Sequence, residues 1–285
     1  MIDEIRASLS RHLPGYELRS IAKLGEGSDN VSYEVNGELI IRASKQTSPA
    51  SRSESTRREA DLLAVVAELS TLPVPEPVFA DVEAGLLAYV NLLGVPLIDH
   101  PVAQPARLAP ALGGFLSGLH QAPLQKVEEL VERDTYPLLS WREDAEQDYR
   151  DVVEHIPASA RDLVEDFLGR TPPAEPRAAA FCHNDLGAEH VLVDVEANAV
   201  TGIIDWTDAA IADPARDLAP IYRDLGPEIF KLTLDHYEGD WDDDFRERAV
   251  FYARCKLLED IAYGLRTGPR RYAEVGLAHL TLTFA

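Results

Sequence analysis

Two short apolar runs, Val191-Leu192-Val193-Asp194 and Thr201-Gly202-Ile203-Ile204, constrain this chain more than any other stretch. They read as two β-strands joined by a turn, and a hairpin returns its two outer ends to one place. Those ends carry polar chemistry: Phe181-Cys182-His183-Asn184-Asp185-Leu186-Gly187-Ala188-Glu189-His190 enters the first strand, and Asp205-Trp206 leaves the second. His190 and Asp205 should therefore lie within reach of one ion, with Asp185 close by. A carboxylate that can orient and deprotonate a hydroxyl, beside a gripped divalent cation, is the equipment that phosphoryl transfer needs. Asp185 is the expected base, and His190 and Asp205 the expected metal ligands. Magnesium prefers oxygen donors, so a hydrogen-bonded structural histidine is the competing reading of His190. Asp205 is the firmer ligand, a hard carboxylate at the end of an Ile-Ile strand.

Upstream the texture is β-rich. Residues 1–15 carry Ile2, Ile5, Leu9 and Leu13 at helical spacing. Strands are expected over 18–23, 31–35 and 38–43, the last two joined by Asn36-Gly37, the dipeptide suited to a type I′ turn. A helix over 53–69 follows, and then strands over 77–80 and 85–91. Leu92 to Leu97 reads as a hinge. Beyond it the pattern turns helical, over 106–120, 124–133, 140–153 and 158–168, then, after the hairpin, over 214–225, 227–237, 244–267 and 270–284. Asp240 to Asp244 reads as a polar loop and helix start. The expected class is α+β: a small β-rich lobe over 1–93 and a larger, mostly helical lobe over 94–285.

Between the first two strands lies Gly25-Glu26-Gly27-Ser28-Asp29-Asn30. It does not open a helix, so it is neither a Walker A loop nor a dinucleotide turn. Gly25 and Gly27 could let backbone N–H groups approach phosphate oxygens, with Ser28 adding a hydroxyl. A plain hairpin turn is the alternative.

A chain of 285 residues with 46% apolar and 27% charged content can bury two substantial cores. It shows no run of roughly 18 apolar residues, so no membrane span is expected. The start, Met1-Ile2-Asp3-Glu4-Ile5-Arg6, lacks the layout of a signal peptide. Cys182 and Cys255 have no C-x-x-C spacing, which suggests neither zinc nor a disulfide and fits a reducing cytoplasm. A net charge of −22 argues against nucleic acid as a partner, since that affinity depends on Lys and Arg. It favours a cationic partner, although solubility alone explains such a charge equally well.

The H-x-D run ending in His190, with Ile204-Asp205-Trp206-Thr207-Asp208 and the stretch to Asp213-Pro214, resembles the aminoglycoside phosphotransferase family, a branch of the protein-kinase-like fold. Most members carry Asn where this chain has His190; the 2''-phosphotransferases and the macrolide 2'-phosphotransferases are similar to it at that position. The resemblance spans nearly the whole chain and implies the same two-lobed layout. It implies a small-molecule kinase that uses Mg2+ and ATP or GTP as phosphate donor. The acceptor it implies is a cationic small molecule, first an aminoglycoside at its 2''-hydroxyl. A macrolide, a metabolic hydroxyl such as that of homoserine or choline, and a nucleotide-binding pseudokinase are the alternatives.

The resemblance also assigns roles. Arg42 stands where kinases place the lysine that pairs with the phosphates, and Glu59 is its matching helix glutamate. Arg can hold both partners bidentately; Lys45 is the fallback, and a surface salt bridge the alternative. Tyr89 precedes the hinge backbone, Asn91 to Leu93, which would meet the purine edge. A bulky aromatic there is similar to members preferring GTP, while a core tyrosine is the other reading. His183 and Asp217 would brace the catalytic loop. Asp208, Asp224, Glu228, Glu259 and Asp260 are the acidic residues expected to face the acceptor, or else to form solvated helix faces.

Overall fold

The computed structural model describes residues 1–27, 29–239 and 243–285, so Ser28 and residues 240–242 of the expected polar loop lie outside the described residues. Helix α1 (Ile2–His12) leads into strands β1 (Ile21–Glu26), β2 (Asn30–Val35) and β3 (Leu39–Ser44), helix α2 (Pro49–Leu69), then β4 (Pro77–Asp81) and β5 (Leu86–Val90). The five strands form one antiparallel sheet in the order β1-β2-β3-β5-β4. The Asn36-Gly37 turn adopts positive φ at both residues, as a type I′ turn requires. The first strand runs three residues later than its apolar pattern suggested, with a register shift between Lys23 and Gly25 that carries β1 through the first glycine.

Alternation along β3 and β5 decides which side chains reach the cleft. Leu39, Ile41 and Ala43, with Leu86 and Ala88, pack outward against Ile5 and Leu9 of α1. Ile40, Leu87 and Tyr89 belong to the opposite face, packed on Leu62, Leu63 and Val66 of α2. Arg42, two residues from Ile40, shares that inner face. The core on this side continues without a break into the rest of the chain, through Leu108, Leu112, Phe115, Phe181 and Trp206. Burial thus ties the two expected lobes together across the boundary at residue 93.

After the hinge, Gly94 takes φ +113 and a Cβ there would sit 2.1 Å from Thr201 Oγ1, so only glycine fits. Strand β6 (Val95–Pro96) pairs with the first strand of the predicted hairpin, α3 (Ala109–His120) follows, and β7 (Glu132–Arg133) pairs in parallel with a later strand. The helix expected over 124–133 is absent: one 3-10 turn covers Leu124–Lys126, and Val127 and Val131 are buried as the chain turns into β7. Helices α4 (Leu138–Val152) and α5 (Ala158–Leu168) precede β8 (Ala180–Cys182), and then the predicted hairpin forms as β9 (Val191–Asp194) and β10 (Ala199–Ile203). Strand β11 (Ala210–Ala212) lies between β7 and β8. Helix α6 (Ala215–Leu234) breaks at Gly226, φ 85, just before Pro227, where two helices were expected to meet. It packs against α7 (Asp243–Arg266) and α8 (Arg271–Phe284).

Candidate active site

The segment from β8 to β9 is held by one carboxylate. Asp217, fully buried near the start of α6, accepts the backbone N–H groups of His183 at 2.9 Å and Asn184 at 2.6 Å, and His120 Nε2 lies 3.0 Å away. The last contact brings α3 into the brace, and the other ring nitrogen of His120 is 2.8 Å from the Tyr237 hydroxyl. His120, Cys182 and Asp217 cluster within 4.8 Å. The imidazole is engaged on both sides and the Cys182 thiol faces the Ala180 and Ala212 carbonyl oxygens, so the three side chains act as a strut. Asn184 takes φ +68, a left-handed conformation that costs free energy in a non-glycine residue. Its two backbone and side-chain anchors, Asp217 and Arg216, hold it there.

The next residue is Asp185. His190 folds back on it: Nδ1 is 2.7 Å from the Asp185 carbonyl oxygen, which can only accept, so Nδ1 carries the proton. The lone pair is thereby fixed on Nε2, which faces Asp205 Oδ2 at 3.9 Å. A nitrogen and an oxygen so placed can both approach one divalent ion at about 2.1 Å, and a backbone carbonyl that sets the ring's tautomer is the usual support for a ligating histidine. These residues fit a magnesium ion. Burial works against a charged His190, but Asp185, Glu189 and Asp205 raise its pKa on balance.

Asp205 also sits at positive φ, +60. Its two oxygens are divided between tasks. While Oδ2 faces His190, Oδ1 lies 3.2 Å from Arg42 Nη1 and accepts from the Thr207 hydroxyl at 2.7 Å. Burial raises its pKa, yet Arg42 and His190 outweigh that and hold the carboxyl well below the usual range. Arg42 pairs at the same time with Glu59, Nε to Oε1 at 2.9 Å, and donates to Thr207 Oγ1 at 2.8 Å. One guanidinium therefore links β3, α2 and the loop after β10. Glu59 is pushed up by burial against the pull of Arg42.

The remaining expected nucleotide contacts lie at different depths. Tyr89 is buried at 9% exposure on the cleft-facing side of β5, its phenol pushed up to about 12 by burial. Asn91 donates its backbone N–H to Glu38 O at 2.8 Å, and Leu93 is 84% exposed beside the hinge. A Cβ added at Gly25 or Gly27 would meet nothing within 4 Å, so both glycines border open space. The Gly27 N–H closes the hairpin onto Asn30 O at 2.9 Å. Lys45 pairs with Glu26 on that turn, away from Glu59.

Of the five acidic residues expected to face an acceptor, only Asp208 lines a cavity of about 1110 Å3 bounded by Glu59, Tyr136, Asn184 and Trp206. Burial, then Asp185 and Asp205, push its carboxyl up. Glu259 lines a second cavity of about 370 Å3 with Asp144, Asp148 and Trp141, and Tyr136 is shared by both. Asp224 and Asp260 instead clasp the buried Arg223, Asp224 through two nitrogens at 2.6 and 3.0 Å and Asp260 at 2.7 Å. Asp224 also accepts the Ala188 N–H at 2.9 Å, so this pair steadies the segment between β8 and β9 from behind. Glu228 is exposed just past the Gly226 break.

Four side chains at the site escape sequence reasoning. Arg223 and Lys256 come from helices with no motif, Thr207 lies inside the Ile204 to Asp208 run yet gives no signal of its own, and Asp134 pairs with Arg216 from an irregular stretch. Lys256 Nζ lies 3.8 Å from Asp185 Oδ1. An arginine followed directly by an acid, Arg223-Asp224, is the sole hint, and a weak one.

The chain is 25% identical to a viomycin phosphotransferase of Streptomyces vinaceus over 291 residues, 98% of each protein. Among solved structures it resembles an aminoglycoside phosphotransferase in complex with GDP and kanamycin, with TM-score 0.73, 22% identity and coverage of 98% and 97%. It also resembles a macrolide 2'-phosphotransferase from Brachybacterium faecium, with TM-score 0.66, 24% identity and 98% of each chain covered. Among the described residues no helix is long and apolar enough to cross a membrane. The phosphotransferase enzyme family matches residues 20–251, and with a match over most of its length the chain belongs to that family.

Proposed function

We propose that this phosphotransferase moves the γ-phosphoryl group of ATP or GTP to a hydroxyl of an antibiotic, an aminoglycoside at its 2''-hydroxyl being the first candidate. The observation that carries the reading is the convergence of Asp185, His190 and Asp205, with His190 Nε2 3.9 Å from Asp205 Oδ2 and His190 Nδ1 3.6 Å from Asp185 Oδ2. Asp185 accepts the hydroxyl proton as the oxygen attacks phosphorus in line and the bond to the β-phosphate oxygen breaks. Burial raises its pKa, but Lys256 and His190 lower it further, so it is ionised and ready to accept. His190 and Asp205 would hold magnesium, whose charge offsets that of the triphosphate. Arg42, anchored by Glu59, offers its guanidinium to the phosphates from the sheet side. Gly25 and Gly27 leave room for them above. Tyr89, Asn91 and Leu93 border the purine side.

The aminoglycoside candidate rests on the chain's charge of −22, on acidic Asp208 and Glu259 along the two cavities that Tyr136 borders, and on the likeness to the kanamycin-bound structure. A macrolide or a viomycin-type acceptor is the second reading, favoured by the relatives of those specificities. The test is consumption of ATP and GTP in parallel against kanamycin-type aminoglycosides, macrolides, viomycin and simple amino alcohols. Asp185→Ala should lower acceptor-dependent turnover about 10³-fold with nucleotide affinity nearly unchanged. Appreciable turnover in that variant removes Asp185 as the base. His190→Ala should raise the magnesium concentration needed for half-maximal rate, and an unchanged metal titration places the ion elsewhere.

A further inference from the structure

The two oxygens of Asp185 have different neighbours. Oδ2 lies 3.6 Å from the His190 ring, which in turn reaches Asp205, while Oδ1 lies 3.8 Å from Lys256 Nζ. If the donor occupies the His190 side, as the proposed function has it, the acceptor meets the base on the Lys256 side. Lys256 projects from α7, its side chain only 24% exposed, and its ammonium is also 3.3 Å from Glu259. A buried ammonium is tolerated when it is paired. Here the pairing neutralises charge on both the base and the nearest acidic wall residue, the two groups best placed to draw a cation to the reacting point. Of the carboxylates left over, Asp208 lines the cavity of about 1110 Å3. Asp144 and Asp148 line the cavity of about 370 Å3 together with Glu259, walled by Tyr136 and Trp141.

We propose that Lys256 is a specificity-determining residue of the acceptor site. Wedged between Asp185 and Glu259, it requires the part of the acceptor lying against the base to be neutral, while the acceptor's ammonium groups seat outward, along the cavity lined by Asp144 and Asp148. Specificity of this kind works by repulsion: a like charge set at the reacting point rejects ligands that would otherwise be favoured by an acidic surface. This inference rests on the kinase reading, because that reading puts the acceptor at Asp185. It narrows the substrate class to hydroxyls without an ammonium packed against the base.

The experiment titrates kanamycin, a polycation, and N-acetylglucosamine, a neutral sugar, by calorimetry into protein loaded with magnesium and GDP. Lys256→Gln should tighten kanamycin about tenfold at low salt, and the gain should shrink as salt screens it. The neutral sugar should move less than about twofold. Lys256→Arg keeps the charge and should leave both affinities at the wild-type values. A kanamycin affinity in Lys256→Gln unchanged or weakened overturns the proposal. Equal weakening of every ligand in both variants also overturns it, as the mark of a residue that only packs, and so does a lack of kanamycin binding to any of the three proteins. Failure of the kinase reading is a different result, read in a different assay: wild-type protein that transfers phosphate from neither nucleotide to any acceptor.

Discussion

Arg42 and Arg223 use one kind of chemistry in two regions. Each guanidinium is nearly buried, at 11% and 5% side-chain exposure; Arg42 holds two carboxylates, and Arg223 holds two closely with Glu189 as a third at 4.0 Å. Arg42 reaches from the sheet to Glu59 and across the cleft to Asp205, which is 43% exposed. Arg223 clasps Asp224 and Asp260, 10% and 19% exposed, and all three belong to the helical half. The contrast teaches what decides the use of an ion pair. When every partner is enclosed, the pair is a fixed brace, and its rupture leaves charge stranded without water. When one partner faces an open cleft, water or a ligand can replace the arginine, and the pair becomes an exchangeable clamp.

The largest effect should follow from breaking the enclosed brace. Arg223→Met removes the guanidinium shared by Asp224 and Asp260, leaves Lys256 as the cation still acting on Asp260, and loosens the Ala188 anchor. Losing one partner of a buried pair costs about 3–5 kcal/mol. Urea unfolding measures it, and a loss under about 1 kcal/mol, the range of an exposed pair, would erase the distinction drawn between the two arginines. Arg42→Met should cost less stability, about 1–2 kcal/mol, because Glu59 is already pushed toward its neutral form by burial and Asp205 has access to water. Its larger mark should fall on function, with nucleotide affinity weakened about tenfold because a bidentate phosphate partner is gone. Nucleotide titration beside the same unfolding experiment separates the two. A stability loss equal to that of Arg223→Met would make Arg42 a brace too.

The same two regions differ in how far sequence betrays them. The hairpin, its polar ends and the Asn36-Gly37 turn were legible because period-2 alternation and turn chemistry are local signals. Arg42 and Glu59 were legible only through the family resemblance, which sets a cation at the end of the third strand against a glutamate of the following helix. Arg223 and Lys256 were not. Each lies in a helix whose face toward the catalytic loop is set by how α6, α7 and α8 pack, and no residue spacing encodes that packing. Asp224 and Asp260 were singled out for an acceptor on acidity and on the family resemblance, and an acidic side chain on a helix reads the same whether it awaits a ligand or an arginine. The missing helix over 124–133 has a similar cause: Val127 and Val131 keep helical spacing, but β7 pairs with β11, a strand far along the chain.

A pH titration tests the enclosed brace from within. Burial pushes the Asp260 carboxyl up to about 7, against the pull of Arg223 and Lys256. In the unfolded chain the same group titrates near 4. Between those values the folded protein holds a proton that the unfolded chain has released, so folding is favoured at the acid end of the window. That contribution is fully present below about pH 4 and is lost as pH rises through about 7. Asp260→Asn cannot titrate, so the stability of the wild type relative to this variant should fall with rising pH, by at most about 1.4 kcal/mol per pH unit, and level off above pH 7. Asp205 cannot mimic this signal: Arg42 and His190 hold its carboxyl low, so its contribution is present above pH 4 and lost in acid, with the opposite slope. Urea unfolding of both proteins at steps from pH 4 to pH 8 measures the difference. A flat difference would mean that Asp260 stays ionised beside Arg223 throughout, and the enclosed pair would then be as fully charged as the one in the cleft, leaving access to water as the single property that separates brace from clamp.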